Sequence, residues 1–529
     1  MNSSFIYTAL LASDDMLGGG GDNDKLMQAL DLLCNYNADM TNNIYVKKYK
    51  AINRANSLIE SLPSTAMSDD VKTRLMGEAK FLRAFNYYTL ASMFGNVPVR
   101  STSGGESIQQ GEITDVWKLI LQDLYEAAST MEEKRTDVSK AGHVDKYTAE
   151  AMLARAWLFY TGMFCNGTSL EEMTSESYNP DAISSVELAD GTKLTKQMVI
   201  DLIDDCVNNS GYDLVSDFRN LWAYTNRCTV NDYDYTAGQG LKWVEDDNGE
   251  NKESMFAIKF SKFASWSTTI GYANGLALHL GVRGGQPYGN TFPFGQGWGA
   301  GPVAPNLVKD WKAAEPNGMR LEATIQDWTT SETYKYGGWS DFVQETDYYG
   351  KKLAPISAQN ADVDGGYSCT FENVMYPGNW DIPGKENMQL NNIHDLVLIR
   401  FADVLLMQSE LKQDMSGINR VRARAGLSPV PGYSLEALQN ERRWELACEG
   451  LRWNDIRRWH IAAKALDKQL DQPTYFHGNP DTNKSHNGGY SARYKATAGF
   501  FKMPDTQIAM GAVKQNAGWT SSDSEYQGW

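Results

Sequence analysis

The sequence predicts a mostly α protein in which a helical scaffold, formed by both ends of the chain, carries a loop-rich, irregular central insert. Apolar residues recur at helical spacing toward both ends of the chain. Between Asp213 and Leu390 this periodicity gives way to Gly, Asn, Asp, Trp and Tyr, with only short apolar runs. We therefore expect a single unit of 529 residues. Its predicted parts are an N-terminal helical part at 1–212, a ligand-binding insert at 213–390, and a C-terminal helical part at 391–529 that completes the scaffold.

The stretch from Met67 to Val99 predicts one long helix. Ser68 is a suitable N-cap, and the two aspartates after it favour the positive end of the helix dipole. Gly95 supplies a left-handed stop, and Pro98 prevents the helix from resuming. One broad face is apolar, with residues at three- and four-residue steps: Leu75, Ala79, Leu82, Phe85, Tyr88, Thr89 and Met93.

Helical patterns also flank this segment on both sides. They cover Asn43–Leu62, Thr114–Met131, Asp145–Phe164, Gln197–Asn209, Asn391–Leu411, Gly417–Ala425, Leu435–Gly450 and Leu451–His460. The alanine-rich helix at 145–164 resembles the small-residue packing of tetratricopeptide helices, which favours a tetratricopeptide-like scaffold of stacked helix pairs. Helix should therefore dominate residues 43–210 and 391–468.

Composition narrows the function. The net charge of −17 argues against a nucleic-acid partner, because phosphate binding needs clustered Lys and Arg. No run is long and apolar enough to predict a membrane span. The six cysteines show neither C-x-x-C nor metal-type spacing, so they predict no disulfide scaffold and identify no compartment.

The densest cluster of ionisable residues lies near the C-terminal end: Glu441, Arg442, Arg443, Glu445, Glu449, Arg452, Asp455, Arg457 and Arg458. Two carboxylates about 5 to 10 Å apart would suit a glycosidase, which also needs one acid of raised pKa. So many arginines would instead lower the pKa of both carboxyls. We interpret the cluster as a structural ion network and expect it to lock the C-terminal helix against the helix at 67–99.

The sequence predicts no metal and no cofactor. The histidines show no HExxH or paired spacing, and the glycines at 18–21 are not followed by the Gly-Lys-Ser/Thr of a phosphate-binding loop. The acid-rich turns at Asp246–Glu250 and Asp362–Gly365 lack EF-hand spacing. Solvated turns are the expectation there, with incidental Ca²⁺ as the alternative.

Aromatic side chains of the insert are the candidate ligand platforms. A sugar ring presents a face of C–H groups that an aromatic ring covers, while neighbouring polar groups bind the hydroxyls. The predicted ligand-binding residues are Trp222, Tyr224, Asn226, Trp266, Tyr272, Tyr288, Asn290, Trp298 and Trp339, with Phe292 and Tyr348 as further candidates. Several lie in the charge-poor run Phe263–Val308, where Arg283 and His279 are the only charge-capable side chains. Partial burial in the core is the alternative for each of them.

Several strings resemble the SusD/RagB family of surface glycan-binding lipoproteins, which partner TonB-dependent transporters in the Bacteroidetes. They are GEAKFLRAFNYYTLASMFGNVPV, GQGWGAGPVAP, LIRFADVLLM, INRVRARAGL and ERRWELACEGLRWNDIRRW. The closing segment FFKMPDTQIAMGAVKQNAGW is also similar, although Gln515-Asn516-Ala517-Gly518 replaces the Asn-Pro step that is usual in the family. The resemblance covers both ends and part of the middle of the chain and leaves the ligand loops unmatched.

The resemblance implies a non-catalytic, surface-exposed protein of the outer membrane that binds an oligosaccharide and delivers it to a SusC-like TonB-dependent transporter. It also implies a membrane anchor at a lipid-modified N-terminal cysteine; we expect the signal and this cysteine to have been removed from the chain. Two alternatives remain open: a glycoside hydrolase that uses carboxylates of the insert, and a RagB-like receptor whose cargo is a peptide. An adhesin without a small ligand is a third.

Overall fold

The structure is a computed structural model. It describes residues 5–105, 109–131, 142–245, 251–260, 274–284, 291, 293–295, 297–316, 318–353, 355–359, 367–368, 392, 394–486, 488–520, 525–526 and 528–529. The acid-rich turns at 246–250 and 362–365 lie outside these residues, so the alternative of incidental Ca²⁺ there stays a prediction.

The described residues are mostly helical, as predicted. The helices are α1 (Phe5–Leu11), α2 (Lys25–Asp31), α3 (Asn42–Ser61), α4 (Asp69–Phe94), α5 (Asp115–Thr130), α6 (Lys146–Met163), α7 (Leu170–Met173), α8 (Lys196–Asn209), α9 (Gly275–Leu280), α10 (Pro305–Ala314), α11 (Met319–Thr324), α12 (Phe401–Lys412), α13 (Ser416–Arg424), α14 (Leu435–Glu445), α15 (Arg452–Arg458), α16 (Ala462–Asp467), α17 (Tyr490–Thr497) and α18 (Asp505–Ala509).

The strands are short and form two-stranded antiparallel ribbons. They are β1 (Ser185–Glu187), β2 (Lys193–Thr195), β3 (Ser254–Ile258), β4 (Ile325–Asp327), β5 (Tyr348–Gly350), β6 (Ala358–Gln359), β7 (Tyr367–Ser368), β8 (Leu396–Arg400), β9 (Pro473–Phe476) and β10 (Asn479–Thr482). The pairs are β1–β2, β3–β8, β4–β5, β6–β7 and β9–β10.

The predicted helix at 391–411 is wrong in its first half. Residues Leu396–Arg400 form β8, which pairs with β3 of the insert, and the helix begins only at Phe401. The run LVLIR is apolar without interruption, and such a run fits a buried strand as well as a buried helix. Its pairing partner at Ser254–Ile258 is about 140 residues away in the sequence, so local periodicity does not reveal it.

The long helix α4 is confirmed with both of its predicted ends. Ser68 is the N-cap, and Gly95 ends the helix at φ 68°. Consecutive helices pack against one another from α3 through α4, α5 and α6, and α8 packs on α6. Gly77 allows α4 to approach the end of α5 closely, because a Cβ there would lie 2.3 Å from Met131 Cγ. These contacts produce the layered helical scaffold.

The buried hydrophobic side chains of the described residues form two clusters. The larger one runs through the helices of both ends of the chain and includes Trp117, Trp157, Trp453 and Trp459. The smaller one consists entirely of insert residues: Phe218, Trp222, Ala223, Tyr224, Tyr233, Trp243, Val282, Phe294, Ala323, Trp328, Tyr349 and Ile356. The insert therefore has an apolar cluster of its own. The domain boundaries at 212 and 390 stay a prediction.

Buried ion pairs join the insert to the C-terminal helices. Arg320 of α11 is fully buried and donates to Glu441 (2.6 Å) and Glu445 (3.0 Å) of α14. Its second terminal nitrogen donates to Glu315 at 2.5 Å. A buried charge is tolerated only when it is paired and hydrogen-bonded, so these contacts fix α11 against α14.

A second buried arginine extends this network. Arg400, at the end of β8, donates to Glu253 (2.7 Å), Glu445 (2.6 Å) and Glu449 (2.7 Å). Lys352 of the insert donates to Glu449 at 2.6 Å. Burial alone would raise the pKa of Glu445, but the surrounding guanidinium groups hold that pKa well below its usual range. Glu445 is therefore a structural anion, whereas burial raises the pKa of Glu441 in the same cluster, contrary to the expectation that the arginines would lower it.

The same helices also hold the first loop of the chain. Arg443 of α14 donates to Asp15 (2.9 Å) and to Asp310 of α10 (2.9 Å), while Arg452 of α15 donates to Asp14 (2.7 Å). The ion pairs of the cluster thus contact the first loop and the insert. Its contact with α4 is a hydrogen bond: Arg457 of α15 donates to the Ser92 carbonyl at 2.7 Å, in agreement with the expectation that the cluster holds the C-terminal helices against α4.

Helix α4 has other partners for its cations. Arg83 forms a two-pronged ion pair with Asp123 of α5, with both N–O distances at 2.7 Å, and Lys80 pairs with Glu126 of α5. Residue charge alone predicts that pairs will form, but the packing of the helices decides which carboxylate each cation meets.

We predict that Arg320→Met lowers the free energy of unfolding by about 3–5 kcal/mol, because it leaves three buried carboxylates without this cation. Chemical denaturation followed by circular dichroism measures the effect. Arg420→Met is the matched control, since Arg420 pairs with Asp213 at an exposed site and its loss should cost at most about 1 kcal/mol. Equal losses in both variants would contradict a dominant role for the buried network.

Candidate ligand-binding site

Five of the predicted aromatic and amide residues cannot be placed. Trp266, Tyr272, Tyr288, Asn290 and Phe292 lie outside the described residues. They stay predictions, and the candidate site is built from the other residues.

Three other predicted residues are buried, which corrects their interpretation as exposed platforms. Tyr224 is 0% exposed, and its hydroxyl donates to the Ala323 carbonyl at 2.7 Å. Asn226 stabilises a turn, since its side-chain oxygen accepts the Cys228 N–H at 2.7 Å. Trp222 is 9% exposed, with Lys352 Nζ 4.8 Å from its ring. These side chains belong to the apolar cluster of the insert or support it, and composition alone does not separate such residues from a ligand surface.

Two further candidates are half-buried. The Trp298 ring meets the His279 ring edge-on at 4.6 Å and packs against the larger core. The Tyr348 ring lies 5.7 Å from Lys312 Nζ. Trp298 therefore acts in part as a core residue, and its backbone carbonyl has a separate role at the site described next.

Trp339 is the predicted platform with a large exposed surface. Its exposed fraction is 42%, in a described chain whose tryptophans are otherwise buried or half-buried. The guanidinium carbon of Arg283 lies 5.0 Å from the centre of the indole ring. A cation at this distance attracts the electron-rich ring face, so Arg283 holds the indole in place.

Arg283 is itself held by three segments of the chain. Its Nε and Nη2 donate to the carboxylate of Asp341 at 2.8 and 2.7 Å, and its Nη1 donates to Asp24 at 2.9 Å. Nη1 also donates to the Trp298 carbonyl at 3.0 Å. The hydrogen bonds from Arg283 hold the pKa of Asp341 below its usual range. The guanidinium is thus a fixed junction between the first loop and the insert.

Glycines make this junction possible. A Cβ at Gly21 would lie 2.2 Å from Arg283 Nη2, and a Cβ at Gly338 would lie 2.8 Å from the Arg283 carbonyl. Gly338 also has φ +57°, a conformation that other residues rarely adopt. The glycine-rich loop of the sequence is therefore packed against the site.

Two buried glutamines hold that loop. Gln28 of α2 donates to the carbonyls of Gly19 (3.1 Å) and Gly21 (3.0 Å). Gln344 accepts the Gly19 N–H at 3.1 Å and donates to Asp31 at 2.8 Å. With its backbone groups fixed in this way, the loop presents Asp24 to Arg283 without needing a ligand to order it.

Glu345 anchors the loop that carries Trp339, through hydrogen bonds to residues 334 and 337. This residue is 1% exposed; it accepts the Gly337 N–H at 2.7 Å and the Tyr334 hydroxyl at 2.5 Å. Beside the loop, the turn between β9 and β10 brings His477 to within 2.8 Å of Asp22. We call the six residues Asp22, Asp24, Arg283, Trp339, Asp341 and His477 the Trp339 surface.

The Trp339 surface combines an exposed ring with polar groups, which is suitable for stacking on a ligand and hydrogen-bonding to it. The two carboxylates that contact Arg283, those of Asp24 and Asp341, are both paired with its guanidinium. No group of three or more His, Cys, Asp and Glu in the described residues could hold a metal ion. The arrangement favours recognition of a polar ligand with an apolar face.

Sequence reasoning identified Trp339 but missed its supporting residues. The available signal was Arg283, the only arginine in the charge-poor run Phe263–Val308. Asp24, Gln28 and Asp341 gave no signal, because their partners are distant in the sequence and their hydrogen bonds appear only in the folded chain.

The pKa of Glu345 leads to a testable pH dependence. Burial raises this pKa to about 7, although the hydrogen bonds from Tyr334 and Gly337 oppose the rise. The pKa of Glu345 is higher in the folded protein than in the unfolded chain, so the protonated side chain stabilises the fold. This stabilisation is complete below about pH 4 and is lost as the pH rises through about 7. We expect Glu345→Gln to stabilise the protein relative to the parent by roughly 2 kcal/mol more at about pH 8 than at about pH 5.

Urea denaturation of both proteins across this range measures the difference. Glu332→Gln, at an exposed carboxylate of the same segment, is the control and should follow the parent. Parallel pH profiles for the parent and Glu345→Gln would contradict the assignment.

Comparison with protein families gives two matches. A family model described as "SusD family" matches residues 287–519, and one described as "Starch-binding associating with outer membrane" matches residues 22–158. Together they cover more than half of the chain. A SusD-like protein of Bacteroides ovatus is 22% identical over 78% of this chain, and the chain spans 64% of the length of that relative. A SusD-like protein of Formosa agariphila is 24% identical over 84% of this chain and 76% of its own length.

Solved structures share the fold. A laminarin binding SusD-like protein superimposes with a TM-score of 0.69 at 23% identity, covering 97% of this chain and 94% of that one. Surface glycan-binding protein A from Bacteroides thetaiotaomicron, in complex with laminarihexaose, gives 0.68 at 17% identity, with the same coverage. The fold, the two family models and the curated relatives agree with the sequence motifs, and the chain belongs to the SusD/RagB family.

Proposed function

We propose that this protein binds an oligosaccharide at the Trp339 surface without transforming it. The observation that carries the proposal is the exposed Trp339 ring, fixed on Arg283 beside polar groups from two other segments. A sugar ring can stack on the indole while its hydroxyls bind the surrounding carboxylates and His477. Because Arg283 and its glycine contacts are already in place, little ordering is needed on binding.

The relatives support a glycan as the ligand. Two proteins that share this fold are named for laminarin binding or for their complex with laminarihexaose. Their sequence identity to this chain is 23% and 17%, and their names support a glycan as the class of ligand.

We further propose that the protein works at the cell surface, anchored to the outer membrane, and passes its ligand to a SusC-like TonB-dependent transporter. The support is membership of the family and the description of the N-terminal family model, which mentions association with the outer membrane. No helix in the described part of the chain is long and apolar enough to cross a membrane.

The geometry of the described carboxylates supports binding without hydrolysis. A glycosidase needs a reachable acid and a second reachable carboxylate. Glu441 and Glu445 are buried against arginines, Glu345 is 1% exposed, and Asp24 and Asp341 contact Arg283. Each of these five carboxylates is therefore either buried or paired with an arginine. Asp22, the exposed carboxylate of the Trp339 surface, is hydrogen-bonded to His477 at 2.8 Å.

We predict that Trp339→Ala weakens glycan binding about 5- to 100-fold, since the loss of one large apolar contact corresponds to roughly 1–3 kcal/mol. The melting temperature should change little, because Trp339 is 42% exposed and belongs to neither apolar cluster. Trp339→Phe, which keeps a ring, should retain most of the affinity. Leu82→Ala is the control, since Leu82 is 44% exposed on α4, away from the site.

Calorimetry against a panel of neutral oligosaccharides that includes laminarihexaose tests the prediction, with chromatography of the mixtures for hydrolysis products. Binding should depend weakly on salt, because a neutral ligand has no charge to screen. Unchanged affinity of folded Trp339→Ala would place the site elsewhere, and Trp298 and the undescribed Trp266 and Tyr288 would be tested next. Turnover of the glycan would favour the hydrolase alternative, and binding of peptides alone would favour the RagB-like alternative.

A further inference from the structure

A concave surface that shares no residue with the Trp339 surface lies elsewhere on the molecule. It runs along α3 and is closed by the segment that follows α4 and by the end of α18. Its volume is about 560 Å³, within the range of small-ligand sites. We call it the α3 groove and use six of its lining residues below: Lys50, Asn53, Arg54, Arg100, Gln507 and Met510.

The α3 groove carries positive charge in an acidic protein. Lys50, Arg54 and Arg100 line it, and among the described residues its lining includes no carboxylate. The chain as a whole has a net charge of −17. Lys47 lies three residues before Lys50, and Arg54 lies four residues after it, so the three cations follow one face of the helix. A local field of this sign attracts anionic ligands that the rest of the surface repels.

Lys50 and Arg54 differ from most of the arginines described above, which form buried ion pairs. Lys50 and Arg54 are exposed, and neither lies within 4.0 Å of a carboxylate in the part of the chain that the structure describes. Arg100 donates to the Gly104 carbonyl at 2.9 Å, which holds its side chain at the groove. The helix therefore presents cationic hydrogen-bond donors that are available to a ligand.

The other walls indicate what the ligand must offer. Asn53 and Gln507 add neutral amide groups, and Met510 is 62% exposed, so it provides an apolar contact. The backbone carbonyls of the wall after α4 are already used: Pro98 accepts from Tyr49 at 2.7 Å, and Arg100 accepts from Tyr87 at 2.9 Å.

An extended peptide would need free backbone acceptors for its own N–H groups. The groove offers mainly side-chain donors instead. Such donors match a ligand that is rich in oxygen acceptors, namely hydroxyl groups together with carboxylate or sulfate groups.

We propose that the α3 groove is a second binding site, specific for oligosaccharides that bear carboxylate or sulfate groups. The shared chemistry is an anionic oxygen group on a sugar chain that pairs with Lys50 and Arg54 while a sugar face contacts Met510. The groove uses none of the residues of the Trp339 surface, so the proposal stands or fails independently of the proposed function.

Calorimetry tests the proposal with three probes: tetragalacturonate for carboxylates, a carrageenan-derived tetrasaccharide for sulfates, and maltotetraose as the neutral control. We expect the parent protein to bind at least one anionic probe at about 50 mM NaCl and much more weakly at about 300 mM. The double variant Lys50→Gln/Arg54→Gln should lose about tenfold or more in affinity for that probe at low salt. Both positions are exposed, so the melting temperature should be retained.

The matched control is Lys193→Gln/Lys309→Gln, which removes the same charge from exposed positions outside both surfaces. It and Trp339→Ala should bind the anionic probe within about twofold of the parent. The proposal is overturned if neither anionic probe binds, if the groove variant binds like the parent, or if Trp339→Ala removes the binding. It is also overturned if an oligoglutamate peptide binds at the groove as tightly as the anionic sugars, which would identify a docking site for an acidic protein segment.

Discussion

Buried pairs of arginines and carboxylates around α14 hold the first loop, the insert and the C-terminal helices together. Arg320 and Arg400 each contact Glu445, so α14 is joined both to the insert and to the strand that leads into α12. Arg443 of the same helix pairs with Asp15. Such charges are costly to bury and remain stable only when every partner is present. The network therefore ties the first loop, the insert and the C-terminal helices into one arrangement, and an error in any of the three would leave a buried charge unpaired.

That arrangement produces the candidate site. The loop that starts at Asp14 and Asp15 continues through four glycines to Asp24, and its position brings Asp24 to Arg283. Arg283 then connects this loop to Asp341 and supports the Trp339 ring. The aromatic residues of the insert divide accordingly: Tyr224, Trp222 and their neighbours form an apolar cluster, while Trp339 lies on a loop anchored by Glu345 and remains exposed. The rigidity of the site thus has its origin in contacts far from the exposed ring.

Much of the fold could be predicted from the sequence because its signals are local. The Ser68 cap, the Gly95 stop and the apolar face between them define α4 without reference to other parts of the chain. The strand at Leu396–Arg400 could not be predicted, because its partner is distant in the sequence and its apolar run fits either a helix or a strand. Long-range packing also limits how well the site residues can be predicted. Composition indicated Trp339, which is exposed, but it equally indicated Tyr224 and Asn226, which are buried. Exposure depends on which segments pack together, and Arg283, Asp24 and Gln28 acquire their roles only through such long-range contacts.

We propose that the ligand binds a site already formed by these contacts, with Trp339 as its platform. A crystal structure of the protein with a bound neutral oligosaccharide, compared with the free protein in the same crystal form, tests it most directly. We expect a sugar ring stacked on the Trp339 indole, with the contacts of Arg283 to Asp24 and Asp341 retained in both structures. Density for the sugar away from Trp339, or an Arg283 that reaches Asp24 and Asp341 only when ligand is bound, would contradict it.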